Sequence, residues 1–220
     1  AERCRELIQH LLAFARRQPW MNSEMKNGRW EKISGKSLSE CTLGVIGVGN
    51  IGKAVTRRAK AFGMKVYGND IVDIDHVFIT ETGIEMTGLH FLLSNSDFVS
   101  INCDLNPASH HLMNSDTFAL MKSTAVLINA ARGPIVEEKA LIEALRSKRL
   151  AGAALDVFEV EPLPLDSPLM KMDNVLLAPH NSNSSPAAWE RVHWNTIKNL
   201  VEGLGIPFSY TDFTDDTEKT

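Results

Sequence analysis

Gly47, Gly49 and Gly52 stand in the order G-x-G-x-x-G within Leu43-Gly44-Val45-Ile46-Gly47-Val48-Gly49-Asn50-Ile51-Gly52. Glycines at that spacing let a chain turn tightly, let a ligand reach bare backbone, and let a helix close on a strand. The amides and dipole of a helix N-terminus attract phosphate, so the chemistry on offer is the binding of a dinucleotide pyrophosphate. An apolar run leads into the motif and an amphipathic stretch leads out of it. The next apolar segment, Met64-Lys65-Val66-Tyr67-Gly68-Asn69, ends on Asp70. A carboxylate there accepts hydrogen bonds from ribose hydroxyls and repels a 2′-phosphate. No arginine follows closely to welcome that phosphate, so the pattern predicts NAD rather than NADP.

Three later segments each set a polar residue just past an apolar run. They are Leu127-Ile128-Asn129-Ala130-Ala131-Arg132-Gly133, then Ala154-Leu155-Asp156-Val157-Phe158-Glu159-Val160-Glu161-Pro162, then Leu176-Leu177-Ala178-Pro179-His180. If the runs are strands of one sheet, their ends converge, and Arg132, Glu161 and His180 meet at the reactive end of the dinucleotide crevice. A guanidinium stays charged and presents planar donors suited to a carboxylate. An imidazole can give and take a proton.

The elements that must position these groups are legible as patterns. Strands are expected at Leu43–Ile46, Lys65–Gly68, Ile84–Met86, Phe98–Asn102, Ala125–Asn129, Ala151–Asp156 and Val175–Ala178. Helices are expected at Ile51–Phe62, Leu89–Leu93, Ser115–Leu120, Glu138–Arg146 and Pro186–Glu202. Strands alternating with helices imply parallel βαβ units. Right-handed crossovers then give an α/β fold: a Rossmann-type, doubly wound, mainly parallel sheet with helices on both faces and its ligand at the carboxyl ends of the strands. On Ile51–Phe62 an apolar face opposes Lys53, Arg57, Arg58 and Lys60, which read as a solvated face.

Ahead of the sheet, Leu7, Ile8, Leu11, Leu12 and Phe14 recur at helical spacing, so Ala1–Arg17 is expected to be a helix that Pro19 stops. Trp20 to Glu40 reads as a polar connector. Its two tryptophans suggest contact with a second domain or subunit, or a satellite cluster. The expected organisation is a linking helix and connector over 1–40, a dinucleotide-binding domain over 41–183, a C-terminal helix over 184–207 and a loose acidic tail over 208–220.

The chain has 220 residues, 44% hydrophobic and 23% charged, with a formal net charge of −4. That is an ordinary globular composition with no cationic stripe for nucleic acid. No apolar run is long enough to cross a bilayer. Cys4, Cys41 and Cys103 lack C-x-x-C spacing and read as reduced thiols of a cytoplasmic protein. The scattered histidines, His110-His111 included, predict no metal site.

Together with Gly28-Arg29-Trp30, the glycine motif and the three strand-end segments resemble the NAD-binding domain of the D-isomer-specific 2-hydroxyacid dehydrogenases, over roughly Ala1 to Pro207. That family includes D-3-phosphoglycerate dehydrogenases and glyoxylate/hydroxypyruvate reductases. The resemblance implies roles residue by residue. Arg132 would bind the carboxylate of a small 2-hydroxy or 2-keto acid and polarise its keto oxygen. His180 would be the acid–base, and Glu161 would hydrogen-bond its ring and orient it. Asp156 would contact the nicotinamide carboxamide. Asn50, Ile51, Cys103, Ala130, Ala131, Arg132, His180, Ser182 and Asn183 would line the rest of the NAD groove. The first helix and the connector would form much of a homodimer contact. Glu161 stands where formate dehydrogenases usually carry glutamine, which argues against that activity.

The sequence also departs from the family pattern. Ser182 replaces a common glycine two positions after His180, and serine lacks glycine's freedom at positive φ, so a different loop is expected there. Asp104 stands where proline is common. The family's N-terminal domain, which supplies backbone amides for the substrate carboxylate, has no counterpart in the chain, and no regulatory domain is expected past Pro207. These departures lead to the expectation of a polypeptide that binds NAD but turns over 2-keto acids weakly alone. The chain reads as a fragment, a truncated gene product, or one part of a split enzyme whose missing half-site a separate chain would supply. A catalytically weak NAD-sensing or scaffold module is the alternative.

Overall fold

The computed structural model of the chain describes residues 2–182 and 184–205. Asn183 and the expected acidic tail lie outside the described residues. The chain divides into two compact units, Ala1–Ser182 and Asn183–Thr220.

In the first unit every expected strand forms. In chain order they are β1 (Thr42–Ile46), β2 (Lys65–Asn69), β3 (Glu85–Met86), β4 (Phe98–Ile101), β5 (Val126–Asn129), β6 (Gly152–Leu155) and β7 (Val175–Leu177). They make one sheet in the order β3-β2-β1-β4-β5-β6-β7, and every pairing is parallel. Successive side chains of a strand point to opposite faces, and the packing follows that alternation. Leu127 enters one core while Val126 and Ile128 enter the other; Ala153 and Leu155 alternate likewise with Ala154. With both faces covered, β4, β5 and β6 are buried along their whole length.

One core is closed by α5 (Leu89–Asn95), α6 (Ser115–Leu120) and α7 (Glu138–Arg146), through Leu92, Leu93, Phe118, Leu141 and Leu145. The other is closed by α1 (Glu2–Ala15), α3 (Asn50–Ala61) and α4 (His76–Thr82), through Leu7, Leu11, Val55, Ala59 and Phe78. α1 is thus packed on the sheet, against α3 and β5.

Register positions the site. Ile46 pairs with Asn69 and with Ile101, Ile101 with Asn129, Asn129 with Leu155, and Leu155 with Leu177. The last residues of six strands therefore form one row. The next residues, Gly47, Asp70, Asn102, Ala130, Asp156 and Ala178, all emerge along a single edge. The order of connection reverses between β1 and β4, which is where such sheets open a crevice for ligand.

Two elements differ from expectation. Pro19 does not simply end a helix: α1 stops at Ala15, and a second helix, α2 (Gln18–Lys26), begins with Pro19 in its first turn. Proline has no N–H to lose there, so it starts a helix as readily as it stops one. The unexpected α4 buries only Phe78 and Thr82, too few positions for a periodic signal, and is bounded by the Asp75 cap and Gly83 at φ 61°. The two tryptophans part company. Trp20 packs on Phe14, with ring centroids 5.0 Å apart, and donates to the Asp173 carbonyl at 2.8 Å. Trp30 is 83% exposed.

The second unit contains α8 (Pro186–Gly203), which carries an i,i+4 ion pair between Lys198 and Glu202.

Candidate active site

The glycine motif forms the turn between β1 and α3. Gly47 sits at φ 87°, and a Cβ there would stand 2.5 Å from the Cys103 nitrogen. A side chain on Gly52 would collide with the Gly47 carbonyl, whereas nothing lies within 4 Å of the space a Cβ on Gly49 would fill. The turn is therefore closed on its protein side and open on its outer side. There the first-turn amides of α3, at Asn50, Ile51 and Gly52, have no acceptor inside the helix. These features fit a pyrophosphate.

Asp70 follows β2 beside this turn. Its Oδ2 accepts from Val48 N–H at 2.6 Å and its Oδ1 from Val72 N–H at 3.2 Å. The carboxylate is thus braced by the loop it serves, while each oxygen keeps acceptor capacity. A cleft of about 750 Å³ opens beside it, lined by Ile74, Asp75, Met86 and Thr87 among others. The part-buried Cys103 thiol has its pKa pushed up by burial, with the negative charges of Asp104 and Asp70 adding to the effect, and presents a neutral surface.

At the end of β5 the Asn129 side chain staples the following turn. Its Oδ1 accepts from Ala131 N–H at 3.0 Å and its Nδ2 donates to the Arg132 carbonyl at 3.0 Å. Ala130 and Ala131 are buried beneath that turn, and Arg132 is exposed above it. One guanidinium N–H of Arg132 returns to the Ala131 carbonyl at 2.7 Å. Gly133 is seated directly on the Phe158 carbonyl, with no room for a side chain.

His180 and Glu161 meet. Nδ1 of His180 lies 2.8 Å from Oε2 of Glu161, and Oε1 of Glu161 accepts from Phe158 N–H at 3.0 Å. Burial pushes the Glu161 carboxyl up. The hydrogen bonds from His180 and Phe158 and the positive charges of His180 and Arg132 outweigh it, and the pKa ends below its ordinary value. An ionised carboxylate only accepts, so Nδ1 carries the proton and Nε2 is left for another partner. The charge of Arg132 thus reaches the pair without touching it. Phe158, Pro162, Leu163, Met170 and Leu177, with Glu161 and His180, line an open cavity of about 620 Å³.

Asp156 is wholly buried, and its two oxygens accept from Asn181 N–H at 2.6 Å and Ser182 N–H at 3.0 Å. Its negative charge is also felt by His10 on α1, whose imidazole burial pushes below its ordinary pKa. Ser182 is not at positive φ; that conformation, at φ 51°, falls on His180. Ser182 is buried, and Asn183 lies outside the described residues.

The sequence pattern missed a second histidine–carboxylate pair. Nε2 of His111 lies 2.5 Å from Oε1 of Glu159, whose Oε2 accepts the Glu138 N–H at the start of α7 at 3.0 Å. Glu159 thereby ties down the segment that carries Glu161. Nothing in the spacing of residues 48 positions apart announces such a pair. Among the described residues no three His, Cys, Asp or Glu side chains are grouped to hold a metal ion, and no helix is long and apolar enough to cross a membrane.

A doubly wound parallel sheet with an open glycine turn at its switch point and a histidine–carboxylate pair along the same edge defines a Rossmann-type dinucleotide-binding domain. Residues 8–182 match the family described as D-isomer specific 2-hydroxyacid dehydrogenase, NAD binding domain, and the chain belongs to that family. It is 40% identical over 197 residues to a glyoxylate reductase of Korarchaeum cryptofilum, a match covering 87% of this chain and 59% of that protein. It is 41% identical over 181 residues to a D-3-phosphoglycerate dehydrogenase of Methanocaldococcus jannaschii, covering 81% and 34%. Among solved structures, D-lactate dehydrogenase from Aquifex aeolicus complexed with NAD and lactic acid superposes with a TM-score of 0.86 at 30% identity, covering 93% of this chain and 66% of that one. The chain spans about 59% of the length of the glyoxylate reductases it matches.

Proposed function

We propose that the chain carries the cofactor and acid–base half of an NAD-dependent D-2-hydroxyacid dehydrogenase, acting on a small 2-keto or 2-hydroxy acid. The contact of His180 with Glu161 at 2.8 Å, beside Arg132 on the sheet edge that bears the glycine turn, carries this reading. The amides of Asn50 and Ile51 and the Asp70 carboxylate would hold the pyrophosphate and adenosine ribose. Asp70 would set the preference for NAD. Nicotinamide, when bound, supplies or receives the hydride at C2 of the substrate. Arg132 draws the substrate carboxylate to the same edge and polarises the keto oxygen. His180 gives its Nε2 proton to that oxygen in the reduction and takes it back in the oxidation. Glu161, ionised, holds the ring so that Nε2 faces the substrate and stabilises the imidazolium that forms in the oxidation.

Support for a homodimer comes from Trp30, 83% exposed in the stretch after α2, because exposed aromatics of this kind mark interfaces. Light scattering of the full chain tests it, and a monomer would refute it.

The central experiment follows NADH oxidation with a panel of 2-keto acids for the wild type and for His180→Ala. Turnover by the wild type that falls at least about 100-fold in the variant, with NADH affinity kept, supports the reading. NADH binding without turnover of any acid on the panel supports instead a module that senses the cofactor.

A further inference from the structure

We propose that Asp156 is a positioning residue for His180. Its carboxylate locks the backbone just past the imidazole and so keeps the ring on Glu161, a task that needs no bound dinucleotide. The inference rests on the acid–base reading of His180.

The segment carrying His180 is tied to the end of β6 on both sides. Ahead of it, Ala178 N–H donates to the Leu155 carbonyl at 2.9 Å; behind it, the amides of Asn181 and Ser182 donate to Asp156 at 2.6 and 3.0 Å. Adjacent residues of one strand end thus grip the two flanks of the histidine. That strand end is itself fixed, since Asp156 N–H donates to the Asn129 carbonyl at 2.9 Å. Neither grip passes through a side chain of the segment, so neither depends on how its residues turn.

Two features show that the grip bears a load. A charge buried as fully as Asp156 is tolerated where hydrogen bonds satisfy it, and its two oxygens are both given to these amides. His180, at φ 51°, holds a conformation that L side chains rarely adopt and that persists where surrounding contacts over-determine it. Glu161 fixes its side chain and Asp156 fixes the backbone that follows. Without the second contact the residue relaxes toward ordinary φ and swings the ring off Glu161.

The test uses the full chain labelled with ¹⁵N, without cofactor, as wild type and as Asp156→Asn, which keeps the shape but puts an N–H₂ where an acceptor stood. In the wild type the Asn181 and Ser182 amides exchange slowly. In the variant they exchange at least about tenfold faster, the factor set by losing one charge-assisted hydrogen bond, while amides of β6 and β7 keep their protection. The His180 ring ¹⁵N signals then move toward those of Glu161→Gln. In 2-keto acid reduction kcat falls at least about tenfold while KM for NADH changes less than about threefold. Unchanged exchange and ring signals with weakened NAD binding would overturn the proposal and leave Asp156 a cofactor contact alone. Unprotected Asn181 and Ser182 amides in the wild type overturn it with no variant needed. Full turnover by His180→Ala would instead sink the acid–base reading, and the exchange measurement would still decide the grip.

Discussion

Gly133 and Phe158 meet backbone to backbone: the Phe158 carbonyl fills the space in which a side chain at Gly133 would have to stand. The turn that carries Arg132 therefore rests on the segment that carries Glu161, and the two groups keep a fixed relation although they come from different strands. The brace is mutual. Phe158 N–H donates to Glu161, so one residue supports both the guanidinium turn and the carboxylate.

Gly133→Ala is expected to force the two segments apart. Overpacking of this kind costs about 1–3 kcal/mol, which for a domain of this size lowers Tm by about 2–12 °C. Because the shift acts at Arg132, affinity for a small dicarboxylate or keto-acid analogue falls by more than NADH affinity does. Thermal denaturation and isothermal titration with both ligands check this. Equal loss of the two affinities would place the effect elsewhere.

The ion pair at the site predicts how stability responds to acid. The Glu161 carboxyl lies below its ordinary value in the folded chain, so folding favours its ionised form. Its contribution is complete above about pH 4.3, the value expected of an unfolded glutamate, and is lost as pH falls through the folded value. Glu161→Gln does not titrate. The gap between wild type and variant in urea midpoint is therefore expected to close as pH falls below about 4.3. A gap that widens on acidification contradicts the assignment.

The middle of the sheet was legible in the sequence because β4, β5 and β6 lie in apolar runs, and burial on both faces requires nothing more. The glycine turn was legible for a related reason: Gly47 and Gly52 are demanded by backbone contacts that no other residue fits. α4 escaped notice because a helix that buries only Phe78 and Thr82 prints no stripe, and Pro19 misled because its missing N–H suits both ends of a helix. In the site, position past strand ends put Glu161 and His180 on one edge, and the family resemblance made them partners worth testing. Neither could say that Asp156 grips the backbone at Asn181 and Ser182, because a carboxylate's type does not name its donors. The His111–Glu159 pair was invisible for the same reason.

Asp70 combines two tasks that substitution can separate. Its Oδ2 braces the glycine turn through Val48 N–H, and its negative charge faces the cleft beside β2. Asp70→Asn keeps an acceptor for Val48 and removes the charge, so Tm is expected to move by no more than about 2 °C. Affinity for NADPH is expected to rise about tenfold relative to NADH, because the 2′-phosphate no longer meets a carboxylate. Asp70→Ala removes both and leaves Val48 N–H without its partner, so it is expected to raise the same ratio while also weakening both dinucleotides and lowering Tm further. Fluorescence titration of the two variants with NADH and NADPH distinguishes the tasks. If neither variant raises the affinity for NADPH relative to NADH, charge is not what disfavours the 2′-phosphate, and any preference must come from the shape of the cleft between Ile74 and Thr87.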